Sequence, residues 1–505
     1  MKKLLLLVLV FISGMSYSVA QNAVTGTVTD ENGEGVPGAN IIIKGTSNGT
    51  ITDMDGGFTL NASSSDVLVV TYVGYSTVEI PVGSQSSINV SLSEDIAALD
   101  EIVVTGYGTQ ERKEITSAVT SLNEEDFNKG LVSNPMGLLE GKVAGLSITK
   151  PGSDPNGGFT LRLRGISTVG ANASPLVVID GVIGGNLDLV DPADIESIDV
   201  IKDGAAAAIY GTRGSSGVVL VTTKKGVAGT TRVDYNVSTS VDQMARSIKV
   251  MTADEYRALP GAVDFGATTD WLDLVTRDGV SQVHNLAVSG GTANTTYRMA
   301  MNYREQQGIL KGTGFNNLNT NLNLSQKAMD GKAVFDVNIS YSNKDASYGF
   351  GNEGFRYALQ SNPTMPIYDP NSIYGGYHER TIFDYYNPVS IVEQNINEGN
   401  DNLFLGSLRG TFDLSAIVEG LNATVSYTRQ ITDTERGQYY NKTSRFRGSD
   451  RNGLAVTDNG QFTFDLIEGT LGYNGQAGDL GVNALVGYSY QEFFNEGYHA
   501  EGGDF

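Results

Sequence analysis

The chain has no cysteine among its 505 residues, only three histidines and a single tryptophan. The missing thiols exclude a disulfide framework and any thiolate metal site. They also exclude a lipoprotein anchor, which needs a cysteine directly after the signal. His284, His378 and His499 are widely spaced and fall in no H-E-x-x-H pattern, so no zinc-hydrolase signature is present. Positive charge is scarce as well: 34 Lys and Arg stand against 57 Asp and Glu, a net charge of −23. Phosphate contacts need clustered cations, so nucleic acid is not an expected partner. No G-x-G-x-x-G runs from a strand into a helix, which leaves a dinucleotide site unsupported. No catalytic activity and no cofactor are expected.

Long apolar runs are missing too, apart from Leu4 to Ile12 near the start. A helix that spans a bilayer needs ~20 apolar residues, and this run is about half that. Met1–Ala20 reads instead as a secretory signal, with Lys2 and Lys3 as its charged region. Small residues at Ser18 and Ala20 place the expected cleavage between Ala20 and Gln21. With no helix apolar enough to span, a membrane location requires a barrel, the other structure that satisfies every backbone group in lipid.

What the chain does have is glycine (62 residues), tyrosine (24) and phenylalanine (18) in short alternating segments. Residues 21–95 hold closely spaced strands, Val24 to Val28, Ala39 to Lys44, Thr50 to Leu60, Val67 to Val73 and Ile88 to Leu92, which suggest a small β-sandwich. Gly45 to Gly49 matches G-x-S-x-G, but strand and turn follow it where a nucleophile elbow requires a helix. Asp53 and Asp55 belong to a partial calcium loop without its bidentate Glu, so a solvated turn is expected there. Residues 96–112 form a linker around Ile102, Val103 and Val104. It is too short to fold alone and strongly β-prone, suited either to pairing with a partner's strand edge or to a plain interdomain strand. Residues 113–228 mix helix candidates (Glu124 to Asn128, and Pro135 to Val143 capped by Asn134) with strands Phe159 to Arg164 and Leu176 to Ile179. Arg162 and Arg164 share one strand face, which meets either carboxylates or solvent.

From Thr231 the texture changes to period-2 alternation. Tyr297, Met299, Met301 and Tyr303 oppose Arg298, Asn302 and Arg304, and the pattern recurs at Val233 to Val241, Phe335 to Tyr341, Leu421 to Tyr427 and Val482 to Tyr490. A large soluble sandwich alternates similarly, but segments of ~9–11 residues with aromatic ends and alternately short and long loops favour a transmembrane barrel wall. One long connection, from Asn343 to Asn400, carries Tyr374, Tyr377, Tyr385, Tyr386 and Asn387 as side chains suited to gripping a sugar or peptide. Thr252 and Glu255 form a capping box for a loop helix. About nine strands are legible, whereas plugged transporter barrels have on the order of 22. An open wall does not stand in lipid, so residues 229–505 are expected to be the first portion of a barrel, in an N-terminal fragment of a protein about twice as long. The closing HAEGGDF does not alternate, and no strand is expected there.

The most informative stretch is residues 191–226, DPADIESIDVIKDGAAAAIYGTRGSSGVVLVTTKKG. Asp191 N-caps a helical turn with Pro192 at its first position, and strands follow at Ser197 to Lys202 and Val218 to Thr223. This stretch, together with RLRGISTVGANASPLVVIDGV, resembles the plug of TonB-dependent outer-membrane transporters, in particular the SusC/RagA family. GTVTDENGEGVPGANIIIKGT is similar to the carboxypeptidase-regulatory-like domain that precedes many such plugs, and Asp100-Glu101-Ile102-Val103-Val104 resembles the TonB box. The resemblance implies a mainly β protein: a β-sandwich, an α+β plug and part of a transmembrane antiparallel β-barrel. Its plug motif would be Arg164, Gly165, Asp180, Gly181, Asp203, Tyr210, Gly211, Arg213 and Gly214. It further implies a cell outer-membrane location with a periplasmic N-terminal domain. The expected function is TonB-driven import of an oligosaccharide or peptide, with TonB and a SusD-like lipoprotein as partners and outer-membrane lipid around the wall. The alternatives are a siderophore or cofactor receptor without a lipoprotein lid and, more remotely, a secreted hydrolase with an accessory sandwich.

Overall fold

The computed structural model describes residues 22–30, 33, 35–44, 46, 48–72, 75, 78–92, 102–105, 108–111, 119–130, 132, 134–150, 152, 154–165, 173–202, 208–477 and 480–504. The signal with Ala20 and Gln21, the G-x-S-x-G serine, Asp100, Glu101 and Asp203 lie outside the described residues. The chain divides into two units, residues 1–115 and 116–505.

In the first unit, strands β1 (Asn22–Thr29), β4 (Gly57–Ala62) and β7 (Val90–Ser91) form one sheet in the order β4-β1-β7. Strands β2 (Asn40–Ile43), β3 (Gly49–Ile51), β5 (Val67–Thr71) and β6 (Val78–Pro81) form a second in the order β3-β2-β5-β6. Alternate residues of both sheets, among them Val24, Val28, Ile41, Leu60, Leu68, Val70 and Leu92, are fully buried in one core, the packing of a β-sandwich. The Asp53 carboxylate accepts from the Asp55 and Gly57 amides at 3.0 and 2.7 Å. It closes a turn, and no group able to hold a metal occurs among the described residues. Strands β8 (Ile102–Thr105) and β9 (Gly108–Glu111) make a separate two-stranded hairpin.

The second unit opens with a five-stranded mixed sheet ordered β10-β15-β16-β13-β14, built from β10 (Val119–Asn123), β13 (Leu176–Ile179), β14 (Val182–Ile183), β15 (Ile195–Ile201) and β16 (Val218–Thr223). A two-stranded ribbon of β11 (Leu146–Thr149) and β12 (Thr160–Leu163) lies beside it. Its core gathers Met136, Leu139, Ile195, Ile198, Val200, Val219 and Val221. The helix expected over Glu124–Asn128 is a series of turns. The one expected over Pro135–Val143 stops as a 3-10 turn at Leu139, capped by Asn134 as read. Gly137 and Gly141 inside that stretch weaken an α-helix, and Gly141 takes φ +76°.

A nine-stranded antiparallel sheet follows in strict sequence order: β17 (Gly229–Asp242), β18 (Gly279–Gly291), β19 (Thr295–Gln307), β20 (Gly314–Ala328), β21 (Ala333–Ser347), β22 (Asn395–Asp413), β23 (Leu421–Tyr440), β24 (Leu454–Ala477) and β25 (Leu480–Gly503). Among the described residues β17 and β25 have one partner each, so this wall is open. Its polarity is the reverse of a soluble sheet. Met299, Met301 and Tyr303 are exposed on one face, while Arg298, Asn302 and Arg304 are buried on the other. The long loops, residues 243–278, 348–394 and 441–453, all lie at one end of the sheet, where the β19–β20 connection over 308–313 is the short exception. Two expectations need correction. The strands reach 24 residues, because their pairing continues well past the apolar band. The HAEGGDF segment is also part of β25 as far as Gly503, held by backbone pairing to β24 although its side chains do not alternate in polarity.

The long loops fold into one cap. Helix α1 (Ala253–Arg257) carries the predicted capping box, and α2 (Trp271–Val275), α3 (Gly351–Gln360) and α4 (Pro388–Gln394) pack around Trp271, Met365 and Val389. Trp271 Nε1 donates to Asn362 O at 2.9 Å, and Arg445 Nη2 donates to Ile382 O at 2.7 Å, stitching the three loops together.

Candidate functional site: the seat of the plug on the wall

The 3-10 turn Pro192–Asp194 is N-capped by Asp191, as its sequence predicts, and the Asp191 carboxylate accepts from Ala193 N. Residues three apart eclipse in a 3-10 turn, so Asp191 and Asp194 project together, and they meet the polar face of the wall. Asp194 Oδ1 accepts from Arg298 Nη2 at 2.7 Å, and its Oδ2 from Asn302 Nδ2 at 2.5 Å and Asn321 Nδ2 at 3.1 Å. Asp191 Oδ2 accepts from Arg304 Nη2 at 3.2 Å, while Arg304 Nη1 donates to Val132 O at 2.8 Å. All four charged side chains are under one tenth exposed. Burial pushes the Asp191 carboxyl above the usual carboxylate range despite the opposing pull of Arg304. A buried pair of this kind adds little net stability over an apolar contact, yet is costly to break from one side. That combination suits a seat that must be specific.

A second clasp lies at Asp180-Gly181, the turn joining β13 to β14. Both residues have positive φ, 49° and 85°, the geometry of a type I′ hairpin turn that Asp-Gly favours. The Asp180 carboxylate accepts from the Thr223 amide and hydroxyl at 3.0 and 2.7 Å. Its carbonyl accepts from Arg409 Nη2 of β22 at 3.3 Å, and a Cβ added at Gly181 would stand 2.3 Å from that nitrogen. Asn156 Nδ2 adds bonds to Gly314 O and Ser347 O at 2.9 and 3.0 Å. Val182 and Leu189 pack on Leu403 and Leu405 of the wall.

The predicted plug-motif residues are only partly brought together. Asp180 and Gly181 reach the wall. Arg164 (φ 63°), Gly165 and Arg213 are exposed, as is Arg162; β12 ends at Leu163, so Arg164 lies beyond the strand that carries Arg162. Tyr210 and Gly214 are buried in the 3-10 segment Ala208–Ser216, which kinks at Gly211. Ile102, Val103 and Val104 form β8 and pair with Glu111, Gln110 and Thr109, remote in sequence from the seat. In the cap, Asn387 N-caps α4 and Tyr385 receives the Asn362 amide, so these two serve the loop's own structure. The seat itself was missed in the sequence. Its signal was present: Arg298 and Arg304 lie opposite Met299, Met301 and Tyr303, and arginines on a lumen face require carboxylates.

Residues 24–104 match the CarboxypepD_reg-like domain, and residues 111–218 match the TonB-dependent Receptor Plug Domain. The TonB-dependent receptor SusC of Bacteroides thetaiotaomicron is 36% identical over 79% of this chain and 44% of its own length. TonB-dependent receptor P26 of Formosa agariphila is 36% identical over 77% of this chain and 41% of its own length. Among solved structures, the RagAB peptide importer in its open-open state shares the fold, with a TM-score of 0.66 at 20% identity over 79% of this chain and 50% of that one. The chain thus spans about half or less of the length of these relatives. With its sandwich, its seated plug and its nine-stranded wall, the chain belongs to the SusC/RagA-like TonB-dependent receptors.

Proposed function

We propose that the protein serves TonB-dependent import of a nutrient across the outer membrane, an oligosaccharide in the first place and a peptide as the second reading. The observation that carries this is the plug's seat: buried polar contacts at Asp191, Asp194 and Asp180 hold the plug to the wall beside a single small apolar cluster of Val182, Leu189, Leu403 and Leu405. The apolar face of the wall meets outer-membrane lipid, the short turns face the periplasm with the sandwich, and the capped loops face outward. Cleavage between Ala20 and Gln21 sends the chain there.

In this reading Asp100 to Val104 is the TonB box. An isolated two-stranded hairpin is marginal in water, so TonB displaces β9 and adds its own strand to Ile102–Val104, then draws on the plug. A SusD-like lipoprotein covers the capped end and delivers substrate. The relatives are TonB-dependent receptors, which supports a transport role for this chain. A receptor for siderophore or cofactor without a lid is the alternative. The test is Ile102→Pro in the full-length receptor, which removes a backbone donor that strand addition needs. Growth on the transported nutrient should be lost while outer-membrane abundance stays unchanged. Unchanged uptake would remove the TonB-box assignment. Purification from solubilised outer membranes should bring a lipoprotein with it, and a lone receptor carrying an iron chelate would favour the alternative.

A further inference from the structure

The wall offers the plug hydrogen-bonding groups at a regular spacing, and the series continues below the seat, toward the short turns. In β20 the face that meets the plug carries Asn317, Asn319, Asn321 and Asn323, followed by Ser325. Three of these donate to the plug in order down the strand: Asn319 Nδ2 to Asp188 O at 3.4 Å, Asn321 Nδ2 to Asp194 Oδ2 at 3.1 Å and Asn323 Nδ2 to Lys224 O at 3.3 Å. In β19, Asn302 pairs with Asn319 and Arg298 with Asn323, so Arg304, Asn302 and Arg298 descend beside the asparagines. The seat leaves part of this capacity unused. Arg298 Nη1 is buried and has no hydrogen-bond partner among the described residues.

Alternate residues of a strand lie about 6.8 Å apart. If the plug moves by that distance along β19 and β20 toward the short turns, each acceptor trades its donor for the next. Asp191 passes from Arg304 to Asn302, Asp188 O from Asn319 to Asn321, Asp194 from Asn321 to Asn323, and Lys224 O from Asn323 to Ser325. Arg298, opposite Asn323, stays beside Asp194 and can offer Nη1 as well. Half that distance brings the acceptors level with residues whose side chains point outward. Buried carboxylates are then unpaired, which is costly, so the path has two stops and not a continuum. The upper stop is favoured by contacts that do not repeat. Asn156 donates to Gly314 O and Ser347 O, the last paired rung at that end of β20 and β21. Arg409, which holds Asp180 O, is followed on its face of β22 by the shorter Thr411.

We propose that β19 and β20 form a thread with a second stop, one register below the seat, at which the plug pauses as it is withdrawn. With strands inclined by about 40°, the step lowers the plug by about 5 Å and turns it as it descends. This rests on the import reading above, in which TonB draws on the plug. The test is a distance between two nitroxide labels, measured by electron–electron resonance in a cysteine-free full-length receptor. One label is at Thr149→Cys, exposed at the end of β11 next to the Asn156 loop, and the other at Lys332→Cys, in the short turn after β20. This chain contributes no cysteine of its own, so only these two sites react. The unaltered receptor should give one distance. Removing the contacts that do not repeat, with Asn156→Ala and Arg409→Ala, should add a second distance about 5 Å shorter. Asn323→Leu with Ser325→Leu on that background should abolish the second distance and keep the first. Where a variant fails to fold, Asn156→Ala alone and Asn323→Ala with Ser325→Ala make the same comparison. A single distance after loss of Asn156 and Arg409, a featureless broadening, or a second distance that survives loss of Asn323 and Ser325 overturns the inference. TonB-dependent uptake by cells is scored separately. Uptake through a receptor with one plug position leaves the import reading standing without the second stop, and two plug positions without uptake sink the import reading alone.

Discussion

Replacing Asp194 with alanine should unseat the plug without unfolding it. The substitution removes the acceptor for Arg298, Asn302 and Asn321 and leaves the Arg298 guanidinium, whose side chain is 9% exposed, without its counter-charge. Breaking a buried pair from one side costs about 3–5 kcal/mol. At about 1.4 kcal/mol per decade, that is roughly two to nearly four decades in the equilibrium between seated and released plug. Hydrogen exchange on the full-length receptor reads this directly. Amides of β15 and β16 should exchange faster by roughly that factor, while those of the wall strands stay as they were. The double variant Asp194→Leu with Arg298→Met should recover part of the protection, because an apolar pair replaces a buried ion pair at little cost while Asn302 and Asn321 still lose their acceptor. Exchange in Asp194→Ala within about threefold of the unaltered receptor, or a double variant as fast as the single one, would refute the reasoning. The first result would mean that the seat carries no load, and the second that Arg298 and Asp194 are not coupled.

Gly181→Ala should destabilise the β13–β14 turn by about 1–2 kcal/mol, since an L-residue would be forced left-handed with its Cβ against Arg409. Alanine at Gly184, also at positive φ but with open space around it, is the control that separates collision from backbone strain in thermal denaturation. In the cap, burial pushes the Glu379 carboxyl up to about 7 from its usual 4.5, against the weaker pull of Arg445. A raised carboxyl favours the folded cap in its protonated form, so the contribution is full below pH 4.5 and fades as pH rises through about 7. Exchange in residues 348–394, corrected for its intrinsic rate, should therefore be faster at high pH, and Glu379→Gln should flatten that dependence. Thr252→Ala removes the hydroxyl that accepts from Glu255 N, one half of the α1 capping box, and should cost about 1 kcal/mol locally, visible as faster exchange over 253–257 with the wall unaffected.

The wall was the most legible part of the fold, because its period-2 alternation sets an exposed apolar face against a buried polar one. About nine strands were legible, five of them with bounds, and Val218 to Thr223 and Leu176 to Ile179 of the plug could be bounded to the residue. Strand length was harder to read. Past the apolar band the outer face of β24 and β25 turns largely polar, and at the far end Leu454 and Val456 of β24 are buried instead on the inner side against Phe350 of the cap and Tyr440 of β23, so the alternation changes its meaning along the strand. The seat escaped for a related reason. Asp191 fits a helix cap, and it does cap, but the same turn also turns Asp194 toward the wall, and nothing local to residues 191–194 names partners more than a hundred positions away. Only the arginines of β19 pointed there. Of the plug's helix candidates, Pro135–Val143 failed where Gly137 and Gly141 stand inside it and shrank to a 3-10 turn, whereas Glu124–Asn128 has no glycine and forms turns only.

The unequal strands have a consequence for the rim of the wall. In β19 the apolar stripe ends at Tyr303, leaving four residues (304–307) before the long-loop end; in β25 it ends at Tyr490, leaving thirteen (491–503). The difference of nine residues is about 30 Å along a strand at ~3.4 Å per residue. At a tilt of about 40° it is roughly 23 Å of height. The rim of this wall is therefore uneven: β24 and β25 stand tall, while the short end of β19 and β20 is roofed by the loop over 243–278, which Arg277 fastens there through Gly308 O at 3.0 Å and Thr313 O at 2.9 Å.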